Sequence, residues 1–232
     1  QDPRMLAVEA DMTEPDFPVK IDFSALRYAL QPIISLQNGA CMGVEALVRG
    51  VDLLGFSSID TFFDHLHRQG ILFETDLQLR LLALRTFTRI PFHQQLRLFY
   101  NLDNRILCAP RYRPGLTQEL LKPLGLQNRN ICFEISEKHD VRLGGDRVLD
   151  LTRRYRRQGF QMAIDDFGTG YSGLRLLYEM ETDLIKIDRF FIDGLAQDRR
   201  KRLFAEQVTR LCHQLDMKVV AEGLEREEDF LL

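Results

Sequence analysis

The chain has 232 residues, 45% of them hydrophobic, which is enough to bury one large core, and α/β barrels commonly run to this size as a single domain. A formal net charge of -3 and a pI of about 6.0 exclude a general binder of nucleic-acid polymers and a membrane-surface protein, both of which favour basic surfaces. Cys41, Cys108, Cys132 and Cys212 lie far apart with no C-x-x-C pair, so neither a zinc knuckle nor a disulfide framework is indicated. Reduced thiols, the lack of a membrane-length apolar run and the lack of a signal-like N-terminus place this segment in the cytoplasm, alone or as the cytoplasmic part of a larger, membrane-anchored protein.

Residues 1–22 hold prolines and acids with little periodicity and read as a tail or the end of a linker, so the folded domain is expected over 23–232. Tyr28 to Leu36 reads as a strand with Pro32 at an edge. Gln37-Asn38-Gly39 then makes a tight turn into a second strand, Met42 to Val48, giving an opening hairpin. Ser57 or Ser58 caps a helix running to about Gln69 with Gly70 as its stop, and Phe73 to Arg89 is a helix with Leu77, Leu81, Leu84 and Phe87 at helical spacing. From there strands (Leu96–Leu102, Ile131–Ile135, Phe160–Ile164, Leu184–Ile187, Met217–Ala221) alternate with helices (Pro114–Leu124, Asp146–Gln158, Gly173–Met180, Asp198–Leu215). Repeated βα units with apolar strands imply parallel strands covered by helices, as a (β/α)8 barrel or a doubly wound sheet.

Polar residues fall on this frame in a regular way. Glu45, Asn101, Glu134, Asp165, Lys186 and Glu222 each follow two or three apolar or small residues, at or near the C-terminal end of a different strand. A barrel gathers such residues at one mouth, whereas a doubly wound sheet converges only a few, so the pattern favours the barrel. The stretch Met162 to Gly173 ends a short strand in Asp165 and Asp166 and then enters a glycine-rich turn. Taken alone it reads as a solvated Asp-Asp turn. Neighbouring acids also resist ionisation unless a cation sits between them, and recurrence of the pattern on five other strands favours a metal site.

Five acids and the neutral oxygen of Asn101 suit Mg²⁺ or Mn²⁺ better than zinc, and His65, His67, His93, His139 and His213 all lie away from the strand tips. Two such ions would polarise a phosphoryl oxygen and acidify water, which points to phosphate-ester hydrolysis. Lys186 could orient the nucleophilic water or steady charge on the phosphate, and Glu222 could accept the proton. Arg49 shares the face of Glu45 by alternation and reads equally as a phosphate fork or as a surface residue closing the strand. A Schiff-base role for Lys186 would leave five acids unexplained. Asp166-Phe167-Gly168 also matches a kinase metal motif, but no phosphate loop precedes it.

With these residues in place, the chain resembles the EAL domain, a family of bacterial cyclic di-GMP phosphodiesterases. The matching motifs are Gln31-Pro32-Ile33, Glu45-Ala46-Leu47-Val48-Arg49, Leu98-Phe99-Tyr100-Asn101 and Glu134-Ile135-Ser136-Glu137. They continue with Asp165-Asp166-Phe167-Gly168-Thr169-Gly170, Lys186-Ile187-Asp188 and Glu222-Gly223-Leu224-Glu225. The resemblance implies a modified TIM (β/α)8 barrel with an antiparallel first strand. It implies that Glu45, Asn101, Glu134 and Asp165 hold one metal and Asp165 and Asp166 the other, with Lys186, Glu222 and Glu45 as the catalytic set. Gln31, Leu47, Arg49 and Asp188 would touch the dinucleotide. Glu137, with Thr169 and Ser172, would anchor the loop after Asp166, through which, with neighbouring helices, a homodimer forms. The implied reaction is Mg²⁺- or Mn²⁺-dependent opening of cyclic di-GMP to linear pGpG, inhibited by Ca²⁺, in a protein that also carries sensor or GGDEF-type cyclase domains.

Two departures stand out. Gly50 to Phe56 lacks the Trp-x-His-Pro run frequent in the family. The chain also ends soon after the Glu222 strand, where members continue through a helix to an eighth strand with a Gln-Gly pair, so the barrel is expected to lack its last strand. An inactive EAL domain serving as a cyclic di-GMP receptor is the alternative implied function.

Overall fold

The computed structural model describes residues 21–109, 112–113, 115–136, 145–170 and 173–231. Strands β1 (Arg27–Ile34) and β2 (Cys41–Arg49) are followed by helices α1 (Ile59–Arg68) and α2 (Leu72–Phe87). After them come β3 (Arg97–Asn101), α3 (Leu116–Leu121), β4 (Ile131–Ser136), α4 (Gly145–Arg157), β5 (Gln161–Phe167) and α5 (Gly173–Glu179). The order ends with β6 (Leu184–Ile187), α6 (Arg189–Ile192), α7 (Arg199–Gln214), β7 (Lys218–Ala221) and α8 (Glu227–Phe230). The strands stand in the sheet in chain order, β1 antiparallel to β2 and every later pair parallel. No strand order reverses, which excludes the doubly wound alternative. Among the described residues the outer edges of β1 and β7 have no strand partner.

The sheet is curled. Across a flat sheet, β2 and β6 would stand four strand spacings apart, about 19 Å. Here Lys186 of β6 touches Glu45 of β2 at 2.9 Å. The expected modified barrel with its antiparallel first strand is therefore present over seven strands.

Local chemistry explains the boundaries. Pro32 sits on β1, whose free side needs no ladder donor. Asn38 Oδ1 accepts from the Ala40 N–H at 3.0 Å in the turn to β2. Ser58 caps α1 through a reciprocal box with Thr61, each side-chain oxygen accepting the other's N–H at 3.1 Å. Asp198 caps α7 in the same sense, accepting from Arg200 N–H at 2.8 Å.

Helix α2 forms where its spacing predicts, but its leucine row is not its buried face. Leu77 and Leu81 are only half-buried, and the fully buried face runs through Asp76, Leu79, Arg80, Ala83, Leu84 and Phe87. A count of leucines alone misses two charged residues on that face. Arg80 pairs with Asp76, donates to Thr117 Oγ1 at 2.6 Å, and lies over the rings of Tyr100 and Phe133. The Tyr100 hydroxyl donates to Asp76 Oδ1 at 3.0 Å. This pins α2 to the outer faces of β3 and β4, next to Asn101 and Glu134.

Removing one member of such a pair leaves a buried charge without its partner. Asp76→Ala is expected to lower stability by about 3–5 kcal/mol in urea unfolding. The double variant Asp76→Ala, Arg80→Met should lose much less than the sum of the two single changes.

Candidate metal centre

Side chains two apart on a strand share a face, and that rule builds the site in layers. Phe99, Cys132, Ala163 and Leu184 form a small buried cluster inside the curl, with Ile33 and Val220 packed against it. Two residues further along the same strands, or just past the end of β7, come Asn101, Glu134, Asp165, Lys186 and Glu222. Gly43 holds the equivalent floor position on β2, two residues before Glu45. A Cβ there would come within 2.8 Å of the Phe99 ring and 2.5 Å of the Arg97 carbonyl. Glycine is therefore required for the floor to close beneath Glu45.

On that floor the Lys186 ammonium contacts four carboxylates, Glu45 at 2.9 Å, Glu134 at 2.9 Å, Asp165 at 3.0 Å and Glu222 at 2.7 Å. Asn101 Nδ2 donates to Glu45 Oε1 at 3.1 Å. Exposure rises from the floor outward: the side chain of Glu134 is 0% exposed, that of Glu45 13% and that of Glu222 25%. Burial holds the Glu134 and Asp165 carboxyls above the usual range, with Lys186 opposing the shift. Burial likewise pushes Glu222 up to about 7, again against the pull of Lys186. For Lys186 burial works the other way, and the surrounding carboxylates outweigh it and hold the ammonium above the ordinary lysine range.

The adjacent acids depart from the expectation of a strand that ends at Ile164. Strand β5 continues to Phe167, and its register against β6 shifts between Ile164 and Phe167, which is a bulge of one residue. Asp166 takes a left-handed conformation, φ 54°. Ile164 and Phe167 both pack into the main core, while Asp165 and Asp166 share the mouth. The Ser136 hydroxyl donates to Asp166 Oδ2 at 3.2 Å. Ser136 escaped the sequence reading, although it lies two residues beyond Glu134 and alternation gives it the same face.

Divalent cations fit this donor set. Oxygens of Glu45, Glu134 and Asp165 lie within 4.8 Å of one another, and so do those of Asp165, Asp166 and Glu222, so Asp165 belongs to both groups. The buried Glu134 Oε2 has no hydrogen-bond partner among the described residues. Hard oxygen ligands without sulfur or imidazole suit Mg²⁺, Mn²⁺ or Ca²⁺.

The remaining predicted residues are placed less uniformly. Gln31 stands opposite Glu45 in register and Leu47 opposite Ala29, on the same face of the hairpin. Arg49 is exposed and donates to the Val48 carbonyl at 2.9 Å. Asp188 caps α6, accepting from the Phe190 N–H at 2.7 Å. The Thr169 hydroxyl donates to the Asp166 carbonyl at 2.9 Å. Glu137 and Ser172 lie outside the described residues. Helix α6 was not expected, yet it supports the loop after Asp166: Gly168 lies so close to Phe191 that a Cβ would come within 2.5 Å of its ring. A cavity of about 650 Å³ at the N-terminal end of β5 is lined partly by Arg129, Arg153, Arg156, Glu181 and Asp183. It holds none of the predicted site residues.

Comparison with known proteins adds an independent line. The family model described as "EAL domain" matches residues 17–232. The probable cyclic di-GMP phosphodiesterase PdeB of Escherichia coli (strain K12) is 30% identical over 211 residues, 87% of this chain and 38% of that protein. The cyclic di-GMP phosphodiesterase NbdA of Pseudomonas aeruginosa is 31% identical over 201 residues, 84% of this chain and 25% of that protein. The chain thus spans well under half the length of these relatives. The manganese/cy-diGMP complex of Klebsiella pneumoniae BlrP1 superposes with a TM-score of 0.77 at 27% identity, covering 92% of this chain and 53% of that one.

Glu134→Gln removes a charge while keeping the shape of the polar layer above the floor. Its Mn²⁺ affinity, measured by titration calorimetry, should fall by at least about tenfold, the loss seen even for outer ligand partners.

Proposed function

This chain belongs to the EAL domain family, and from that membership we propose that it is the catalytic segment of a cyclic di-GMP phosphodiesterase, hydrolysing the cyclic dinucleotide to linear pGpG. The observation that carries the reading is the meeting of five carboxylates at one mouth, four of them touching one buried lysine, in two overlapping groups of three. Glu45, Asn101, Glu134 and Asp165 hold one ion in this reading, and Asp165 and Asp166 hold the other, with Glu222 beside them. The ions are Mg²⁺ or Mn²⁺, with Ca²⁺, larger and looser in geometry, as an inhibitor. Divalent cations held there supply charge that polarises a phosphoryl oxygen and lowers the pKa of water.

The protein's own groups do the rest. Glu222, with a carboxyl near neutrality and a quarter of its side chain open to the mouth, is placed to take a proton from the attacking water. Lys186 holds positive charge where the phosphate becomes more negative. Gln31 stands level with Glu45 across the hairpin and Leu47 and Arg49 follow along β2, and the exposed Arg49 would exchange its bond to the Val48 carbonyl for a phosphate, which its planar fork suits. Asp188 completes this substrate-binding set from the start of α6. Glu137, which follows β4 in the chain, anchors the loop after Asp166 together with that loop's own Thr169 and Ser172 in this reading, and a second copy of the chain packs there. The exposed Leu174, Tyr178 and Phe190 nearby support that placement. The domain spans 23–232, with sensor or cyclase domains elsewhere in the parent protein and the segment itself in the cytoplasm.

The test is incubation with cyclic di-GMP and Mn²⁺ and chromatographic detection of pGpG. Glu45→Ala and Asp165→Ala should each lower kcat by about a thousandfold, the equivalent of the several kcal/mol a bound ion contributes. Tight binding of cyclic di-GMP by the unaltered chain with no pGpG formed would replace the enzyme by a receptor.

A further inference from the structure

The ammonium of Lys186 has more partners than it can serve. It carries three N–H donors and stands within 3.0 Å of four carboxylates, its side chain being 1% exposed. Three of those carboxylates, Glu45, Glu134 and Asp165, are the same three that form the deeper cation group. We propose that Lys186 is the internal counter-cation of the centre, holding the carboxylates together before divalent ions arrive and competing with those ions, so that this one side chain sets the affinity for metal. The inference rests on reading the site as a metal centre and adds to it a cost of loading.

The argument is one of shared ligands. Hard cations hold oxygens at about 2.0–2.1 Å when they are Mg²⁺, whereas the ammonium holds these at 2.7 to 3.0 Å. The cluster as it stands fits ammonium, and an ion entering it must draw the oxygens inward and face a positive charge bound to the same atoms. The floor beneath is buried and apolar and the ammonium itself is 1% exposed, so that charge is weakly screened. Without the ammonium, four carboxylates would face one another over the floor of Phe99, Cys132, Ala163 and Leu184. The metal-free protein would then be the state that suffers most.

Two consequences separate this role from one confined to water or substrate. Replacing Lys186 with a neutral side chain of similar length should destabilise the metal-free protein. The same change should also tighten metal binding, whereas a lysine that merely supports the site would loosen it. Wild type, Lys186→Met and Lys186→Arg are compared by titration calorimetry with MnCl₂ and by thermal unfolding with and without Mn²⁺, all without substrate. Lys186→Met should melt several degrees lower than wild type when metal-free and bind Mn²⁺ at least about fivefold tighter, the lower end of common coupling between sites. Lys186→Arg, which keeps the charge, should stay near wild type in both.

Mn²⁺ affinity in Lys186→Met equal to or weaker than wild type overturns the proposal, as does an unchanged metal-free melting temperature. If the variant is too unstable to isolate without metal, recovery of folded protein only when Mn²⁺ is present supports the proposal, and failure in both conditions overturns it. Wild type that takes up no Mn²⁺ defeats the metal-centre reading itself. Wild type that binds Mn²⁺ and forms pGpG, beside a variant with no gain in affinity, defeats only the role of the lysine.

Discussion

Strand alternation inside a curled sheet is the constraint on which the rest of this molecule depends. Each strand from β3 to β6 puts an apolar or small residue into the floor and a polar one directly above it. Neither layer is useful alone. The floor excludes water from below, which strengthens every charge interaction in the layer above. The curl brings β2 and β6 into contact across what would otherwise be three intervening strands. A single glycine, Gly43, lets the Phe99 ring complete the floor where the hairpin meets the parallel strands.

Behind this two-layer interior lies a second polar system on the opposite face of the same strands. Tyr100 and Phe133 stand one residue before Asn101 and Glu134, so their side chains turn outward and meet Arg80. The buried Asp76–Arg80 pair ties α2 to the two strands that carry two of the proposed ligands. On the other side of the mouth, the stacked rings of Phe191 and Phe204, 4.0 Å apart, back the turn at Gly168. The carboxylates are thus held from two sides by packing that never enters the mouth.

Most of the parallel sheet was legible in the sequence, because fully apolar strand runs bounded by helix caps leave little room for another fold. The gathering of the six polar residues was legible for the same reason: a charged residue after Leu184-Ile185 or Ile131-Cys132-Phe133 has nowhere to go except a shared interior. Less visible was anything that depends on tertiary partners. Leucine spacing does not reveal the buried face of α2, since Asp76 and Arg80 are tolerated there only because they meet each other and Thr117. Helix α6 spans only Arg189–Ile192 and gave no periodic signal, its start being marked by the cap at Asp188. Ser136 was overlooked because a lone serine at a strand end carries no signal until Asp166 is known to lie beside it.

The bulge in β5 bears on how many ions a barrel mouth of this size can seat. A strand that kept strict parity would send Asp165 inward and Asp166 outward, toward the helices, and would offer the pocket one donor. Letting a non-glycine residue adopt φ 54° costs about 1 kcal/mol, and in return two successive side chains arrive on the same side while Ile164 and Phe167 keep their places in the core. Whether the pocket accommodates a lone cation or a pair thus turns on one backbone torsion.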